Sequence, residues 1–133
     1  MAKGAGPKVV LDASALLAVV FQERGGDRVI PLLPGAFISA INYSEVLTTQ
    51  IRRGADPVRV VEGMRALNLQ IIPWDLALSE AAADLSSLAW IEGLSLGDRA
   101  CLATGRHFNA RVITAEREWR KLGKLGIDIR VIR

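Results

Sequence analysis

Short apolar runs alternate along this chain with longer stretches in which apolar residues recur every three or four positions. Val9-Val10-Leu11, Phe37-Ile38, Ile71-Ile72 and Val112-Ile113 are runs of the first kind. Continuous apolar runs of this length suit strands covered on both faces. The pattern predicts strands over 8–12, 36–40, 70–74, 111–114 and 127–132. Helices are expected over 15–22, 27–33, 42–53, 57–67, 75–92, 98–108 and 116–122. Gly25-Gly26, Pro34-Gly35 and Gly54 punctuate the series, and Asn109 is expected to end a helix. Ser14 is expected to cap the first helix, Asn42 to open the third, and Asp56-Pro57 to start the fourth with Pro57 at the first helical position. Pro73 marks an edge strand or a strand end. Regular alternation of strand and helix predicts an α/β, three-layer α/β/α domain with a mainly parallel central sheet.

Composition narrows the class without changing the fold. The chain has 133 residues, half of them apolar and 23% charged, enough for one core in one domain over 8–133. Residues 1–7, with two glycines, a proline and one lysine, read as a loose tail. One cysteine, Cys101, excludes an intramolecular disulfide and suits a reducing, cytoplasmic setting. Asp12 interrupts the first apolar run, and no longer one follows, so neither a signal peptide nor a membrane span is expected. The net charge is +3, with nine basic residues from Arg99 to Arg133 against Glu116, Glu118 and Asp128. That excess suits a phosphate backbone, although a merely solvated basic face would look the same.

The candidate chemistry lies in four acids, Asp12, Glu45, Asp98 and Glu116, each at a junction into a predicted helix. Structural roles compete for each. Asn42–Glu45 and Ser95–Asp98 have capping-box spacing, and a first-turn carboxylate also gains from the helix dipole. Asp12 resists such an explanation, because it closes an apolar strand and a buried, unpartnered carboxylate is costly. Strands running in parallel would bring these junctions to one sheet edge, where open α/β sheets bind ligands. Carboxylates gathered there repel one another, and a hard cation such as Mg²⁺ or Mn²⁺ would relieve that repulsion. The only His and Cys, His107 and Cys101, share one helix at poor spacing for zinc. A receiver-like phosphotransfer domain also uses an acidic sheet edge, but it needs a lysine after a later strand, and Lys121 and Lys124 fall within or after the last helix.

Four motifs then carry a resemblance. Val9-Val10-Leu11-Asp12-Ala13-Ser14, Ile41-Asn42-Tyr43-Ser44-Glu45-Val46, Leu96-Gly97-Asp98-Arg99-Ala100 and Val112-Ile113-Thr114-Ala115-Glu116, in this order and spacing, resemble the PIN-domain family. Within it they are most similar to the VapC-like toxins of bacterial type II toxin–antitoxin systems. The resemblance implies a ribonuclease dependent on Mg²⁺ or Mn²⁺, with Asp12, Glu45 and Asp98 matching the family's first three acids. The fourth, usually aspartate, is here Glu116. Ser14 and Thr114 match hydroxyl positions that support the acids. A homodimer, a larger toxin–antitoxin assembly and inhibition by a VapB-like antitoxin are further implications.

Arg99, Arg117, Arg120 and Lys121 are then expected to steer RNA, and Trp74, Trp90 and Trp119 are either base-stacking platforms or core. Apolar residues in the helices between Asp27 and Leu67 exceed the need of one core and suggest a groove for an antitoxin helix or a second protomer. The competing reading from another class is a catalytically weak or inactive PIN-like module that binds RNA or protein without cutting. The substitution at Glu116 is its best support.

Overall fold

The computed structural model describes residues 8–87 and 93–133. Five strands, β1 (Val9–Leu11), β2 (Phe37–Ser39), β3 (Gln70–Ile72), β4 (Arg111–Thr114) and β5 (Ile129–Val131), form one sheet in the order β3-β2-β1-β4-β5. Every neighbouring pair is parallel. The chain builds outward from β1 to β2 and β3 on one side, then crosses to β4 and β5 on the other. β1 is therefore central, and the switch in direction falls between β1 and β4, where the crevice of such a sheet opens.

Side chains alternate across the strands and feed two apolar layers. Leu11, Ile38 and Ile113 join Leu16, Val29, Val46 and Met64 on one face. Val10 and Val112 join Ala82, Leu85, Leu102, Trp119 and Leu122 on the other. The first layer belongs to α1 (Ala13–Val20), α2 (Gly26–Val29), α3 (Ala40–Arg52) and α4 (Pro57–Arg65). The second belongs to α5 (Leu76–Leu85), α6 (Leu96–His107) and a 3₁₀ run over Arg117–Leu125. This is the three-layer α/β/α arrangement, with a sheet that is parallel throughout.

Several local expectations are corrected. Ser14 lies inside α1 rather than capping it; Asp12 occupies the cap position, with no side-chain cap bond. Asn42 does not open α3, because Ser39 does so by accepting from the Ile41 amide. The long helix expected over 75–92 ends at Leu85, with the rest of its span partly in a turn and, over 88–92, outside the described residues. So are the proposed tail, residues 1–7, and Trp90. The last helix is a 3₁₀ run and not an α-helix. Strands one and five are shorter than expected at both ends. Other signals read correctly: Asp56 caps α4 with Pro57 following, Asn109 takes a left-handed conformation after α6, and β3 is an edge strand with Pro73 just beyond it.

Trp119 is buried in the second layer, and Cys101 packs there as a small apolar residue. Trp74 is half-buried against the same layer. Among the described residues no helix is long and apolar enough to cross a membrane.

Candidate active site at the carboxyl edge of the sheet

Asp12 stands between β1 and α1, as the residue that follows the strand and caps the helix. Its amide donates to the Ile113 carbonyl at 2.9 Å, extending the β1–β4 ladder, while its carbonyl accepts from the Ala15 and Leu16 amides. This double duty fixes the backbone and projects the carboxylate at the switch point. The side chain is only 4% exposed.

Two hydroxyls hold it. Ser14 Oγ donates to Asp12 Oδ2 at 2.6 Å and Thr114 Oγ1 donates to the same oxygen at 3.0 Å. Each hydroxyl is oriented from behind, because Ser14 Oγ accepts from the Ala115 amide and Thr114 Oγ1 accepts from the Glu116 amide. The end of β4 is thus relayed through two side chains to one carboxylate oxygen. Among the described residues Asp12 has no cationic partner. Its carboxyl is raised to about 6, by burial above all; the two hydroxyls pull against that rise, and the negative charges of Asp98 and Glu116 add to it.

Thr114→Val keeps the shape but removes a donor to the carboxylate. The Asp12 pKa should therefore rise above about 6 in metal-free protein, as read by NMR titration of its carboxyl carbon. An unchanged or lower value would show that this hydroxyl does not tune the acid.

Asp98 sits in the first turn of α6 and completes a capping box. Ser95 Oγ accepts from the Asp98 amide, and Asp98 Oδ2 accepts from the Ser95 amide at 3.0 Å. The capping reading is correct, and the half-buried carboxylate is held at the same sheet edge. Glu45 is exposed on α3, where Asn42 Nδ2 donates to its Oε1 at 2.8 Å. Glu116 is exposed two residues past the end of β4.

The four acids act on common points. Asp12 feels Asp98 and Glu116. The buried Cys101 thiol is raised first by burial and then by Asp12, Asp98 and Glu45. Even so, among the described residues no three Asp, Glu, His or Cys side chains are already gathered tightly enough to grip one ion. The donor chemistry nonetheless fits a hard dication. The side chains bonded to Asp12 offer oxygen, the neighbouring carboxylates repel one another, and among the described residues the buried carboxylate lacks a counter-charge.

A cleft of about 240 Å³ adjoins the site, with Asp98, Glu116, Glu118 and Lys121 on its walls. Lys121, expected to steer RNA, is thus beside the acids, and Glu118 is an extra carboxylate that sequence reasoning passed over. The other basic candidates are placed differently. Arg99 donates to the Ala82 carbonyl and ties α6 to α5, and Arg120 donates to the Arg133 carbonyl. Arg117 is exposed. A roomier hollow of about 390 Å³ over β1, β4 and β5 has Arg28, Arg111 and Arg130 on its walls and no carboxylate. It is chemically unrelated to the acidic edge.

Sequence reasoning also treated Asn42 as a helix start. Its spacing three residues before Glu45 on one helix face was the available signal.

Comparison with known proteins agrees with this fold. A toxin–antitoxin complex from Klebsiella pneumoniae superposes with a TM-score of 0.72 at 18% identity, covering 95% of this chain and 98% of that one. VapC20 from Mycobacterium tuberculosis, described as a sarcin-ricin loop cleaving toxin, gives 0.73 at 15% identity over 87% of this chain and 95% of that one. VapBC2 from Rickettsia felis, bound to a promoter DNA fragment, gives 0.71 at 14% identity over 94% and 98%. At such identities the likeness is one of fold. No curated protein sequence matches the chain. The PIN-domain family model matches residues 9–125, spanning both halves of the sheet and all four acids. The chain belongs to the PIN-domain family.

Proposed function

We propose that this protein is a divalent-metal-dependent endoribonuclease acting as the toxin of a type II toxin–antitoxin pair. The observation that carries the reading is Asp12, a buried carboxylate at the switch point of a parallel sheet with oxygen donors and like charges around it and, among the described residues, no cationic partner. Asp12, Glu45 and Asp98 would hold Mg²⁺ or Mn²⁺, and Glu116 would complete the set or orient water. When bound, the ion supplies a lowered water pKa near neutral pH and stabilises charge on the phosphate oxygens.

The chain's own residues do the rest. Ser14 and Thr114 lock the Asp12 carboxylate from one side, with both donors on Oδ2. Lys121, on the wall of the same cleft, places positive charge where a phosphate would enter. Arg117 and Arg120, both exposed, extend positive charge along the 3₁₀ run. Water attacks phosphorus in line and the P–O bond to the leaving nucleotide breaks. No histidine base is invoked, since His107 is exposed at the far end of α6.

Single-stranded RNA is the favoured substrate, because splayed bases and backbone are accessible there and duplex grooves are not. A VapB-like antitoxin as partner is supported by the toxin–antitoxin complexes among the structures of similar fold. Exposed Ile30, Ile51 and Val58 on the α2–α4 side offer apolar surface for that antitoxin or for a second protomer in a homodimer or larger assembly.

Incubation of a mixed RNA pool with purified protein and Mn²⁺ should shorten the RNA, and EDTA should stop it. A mobility shift without shortening would instead support the non-cleaving RNA-binding module.

A further inference from the structure

We propose that Asn42 and Gly97 are positioning residues that seat Glu45 beside Asp98, presetting the α3 carboxylate for the ion. The inference rests on the metal-dependent reading above and adds two residues that bind no metal themselves.

Asn42 is fully buried although it lies in the first turn of α3. Its amide nitrogen has two hydrogens and uses both: one on Glu45 Oε1 at 2.8 Å, the other on the Gly97 carbonyl of α6 at 2.9 Å. One side chain thereby ties two helices together and orients the acid between them. Its orientation is forced. A flipped amide would set Oδ1 against a carboxylate and a carbonyl, both acceptors. The cost is visible on the other side, where Asn42 Oδ1 is the one buried side-chain polar atom without a hydrogen-bond partner among the described residues. A buried acceptor left unmatched is destabilising, and an apolar residue of the same size would avoid it. That orphan offsets much of what the two donated bonds contribute, so the fold gains little net from an asparagine here.

Gly97 supplies the seat. Its backbone is not in the left-handed region, so an L side chain is conformationally admissible. What excludes one is Glu45: a Cβ on residue 97 would fall 2.7 Å from Glu45 Cδ and closer still to both carboxylate oxygens. The obstructing atoms are the free end of a flexible, exposed side chain. Gly97→Ala should therefore spare the fold and displace the carboxylate.

The test is calorimetric titration of the apo full-length protein with Mn²⁺, alongside thermal melts in EDTA. Gly97→Ala and Asn42→Leu should each weaken Mn²⁺ binding about tenfold or more, the usual effect of removing a group that orients a metal ligand. Their melting temperatures should equal or exceed that of the wild type. In a Glu45→Gln background neither substitution should weaken binding further, because the carboxylate they position is gone. Wild-type affinity in both variants, or equal losses with and without Glu45, would overturn the proposal. Asp12→Asn serves as the control. If it too leaves Mn²⁺ binding intact, the ligand set itself is wrong and the positioning role falls with it; if it alone abolishes binding, only the positioning role fails.

Discussion

Asp12→Asn should abolish RNA cleavage and, in metal-free buffer at neutral pH, make the protein more stable than the wild type. The two effects have one origin. The folded protein holds the Asp12 proton up to about pH 6, whereas an unfolded aspartate releases it near 3.8. Between those values the folded state binds more protons, so wild-type stability falls as pH rises through the window and stays reduced above it. The difference corresponds to about 3 kcal/mol at pH 7.5 and roughly half that at pH 5. Asparagine carries no charge to desolvate, and its carbonyl can still accept from Ser14 and Thr114. Urea denaturation in EDTA should therefore show a stabilised variant at pH 7.5, with a smaller gain at pH 5. Mn²⁺ should reverse the order by stabilising only the wild type, through binding to the native state. A variant no more stable than the wild type at pH 7.5, or one that still cleaves RNA, would remove Asp12 from the centre of the site.

The second large effect is expected far from the acids. Gly26→Ala should destabilise the protein by at least about 3 kcal/mol, at or above the upper end of overpacking costs. A Cβ on Gly26 would fall 2.8 Å from the Ala18 carbonyl carbon and closer still to its oxygen. Those are backbone atoms of α1, so no side-chain rotation relieves the contact, and α1 would have to move from the sheet. Gly63 supplies the contrast. It lies exposed within α4 with nothing near its missing Cβ, and Gly63→Ala should stabilise by about 0.5–1 kcal/mol through helix propensity. Chemical denaturation of the two variants decides the matter. A mild Gly26→Ala would mean that α1 and α2 can separate cheaply.

Set beside Gly97, these cases show why a glycine is not one kind of signal. Gly25 has φ of +91° and serves a turn, Gly26 admits the backbone of α1, Gly97 admits a carboxylate, and Gly63 admits nothing. In the sequence Gly25-Gly26 reads only as a helix break. What separates their roles is which atoms from elsewhere in the chain stand opposite, and no local pattern carries that.

The acids divide in the same way. Asp12 was legible because a charge closing a buried apolar strand contradicts its surroundings, and the contradiction is local. The capping box of Ser95 and Asp98 was legible because its bonds span three residues. Ser14 was misread only as a cap: it does donate to Asp12, but its partners Thr114 and Ala115 are about a hundred residues away, and the pull of a distant strand end outweighed capping preference. Asn42 was misread for a related reason: Ser39 already served as cap, which left the Asn42 amide to reach Gly97 across the layer.

By itself, then, the sequence determined what local physics governs: the alternation of apolar strands and helices, the parallel α/β class, most turns and caps, and the four acids in their order. The tertiary structure alone decided strand order, the switch between β1 and β4, and which hydroxyls and amides hold each carboxylate. It also decided that Trp119 belongs to the core. Those outcomes depend on contacts between segments far apart in the chain, whose energies exceed the few tenths of a kcal/mol per residue that separate most local conformational preferences.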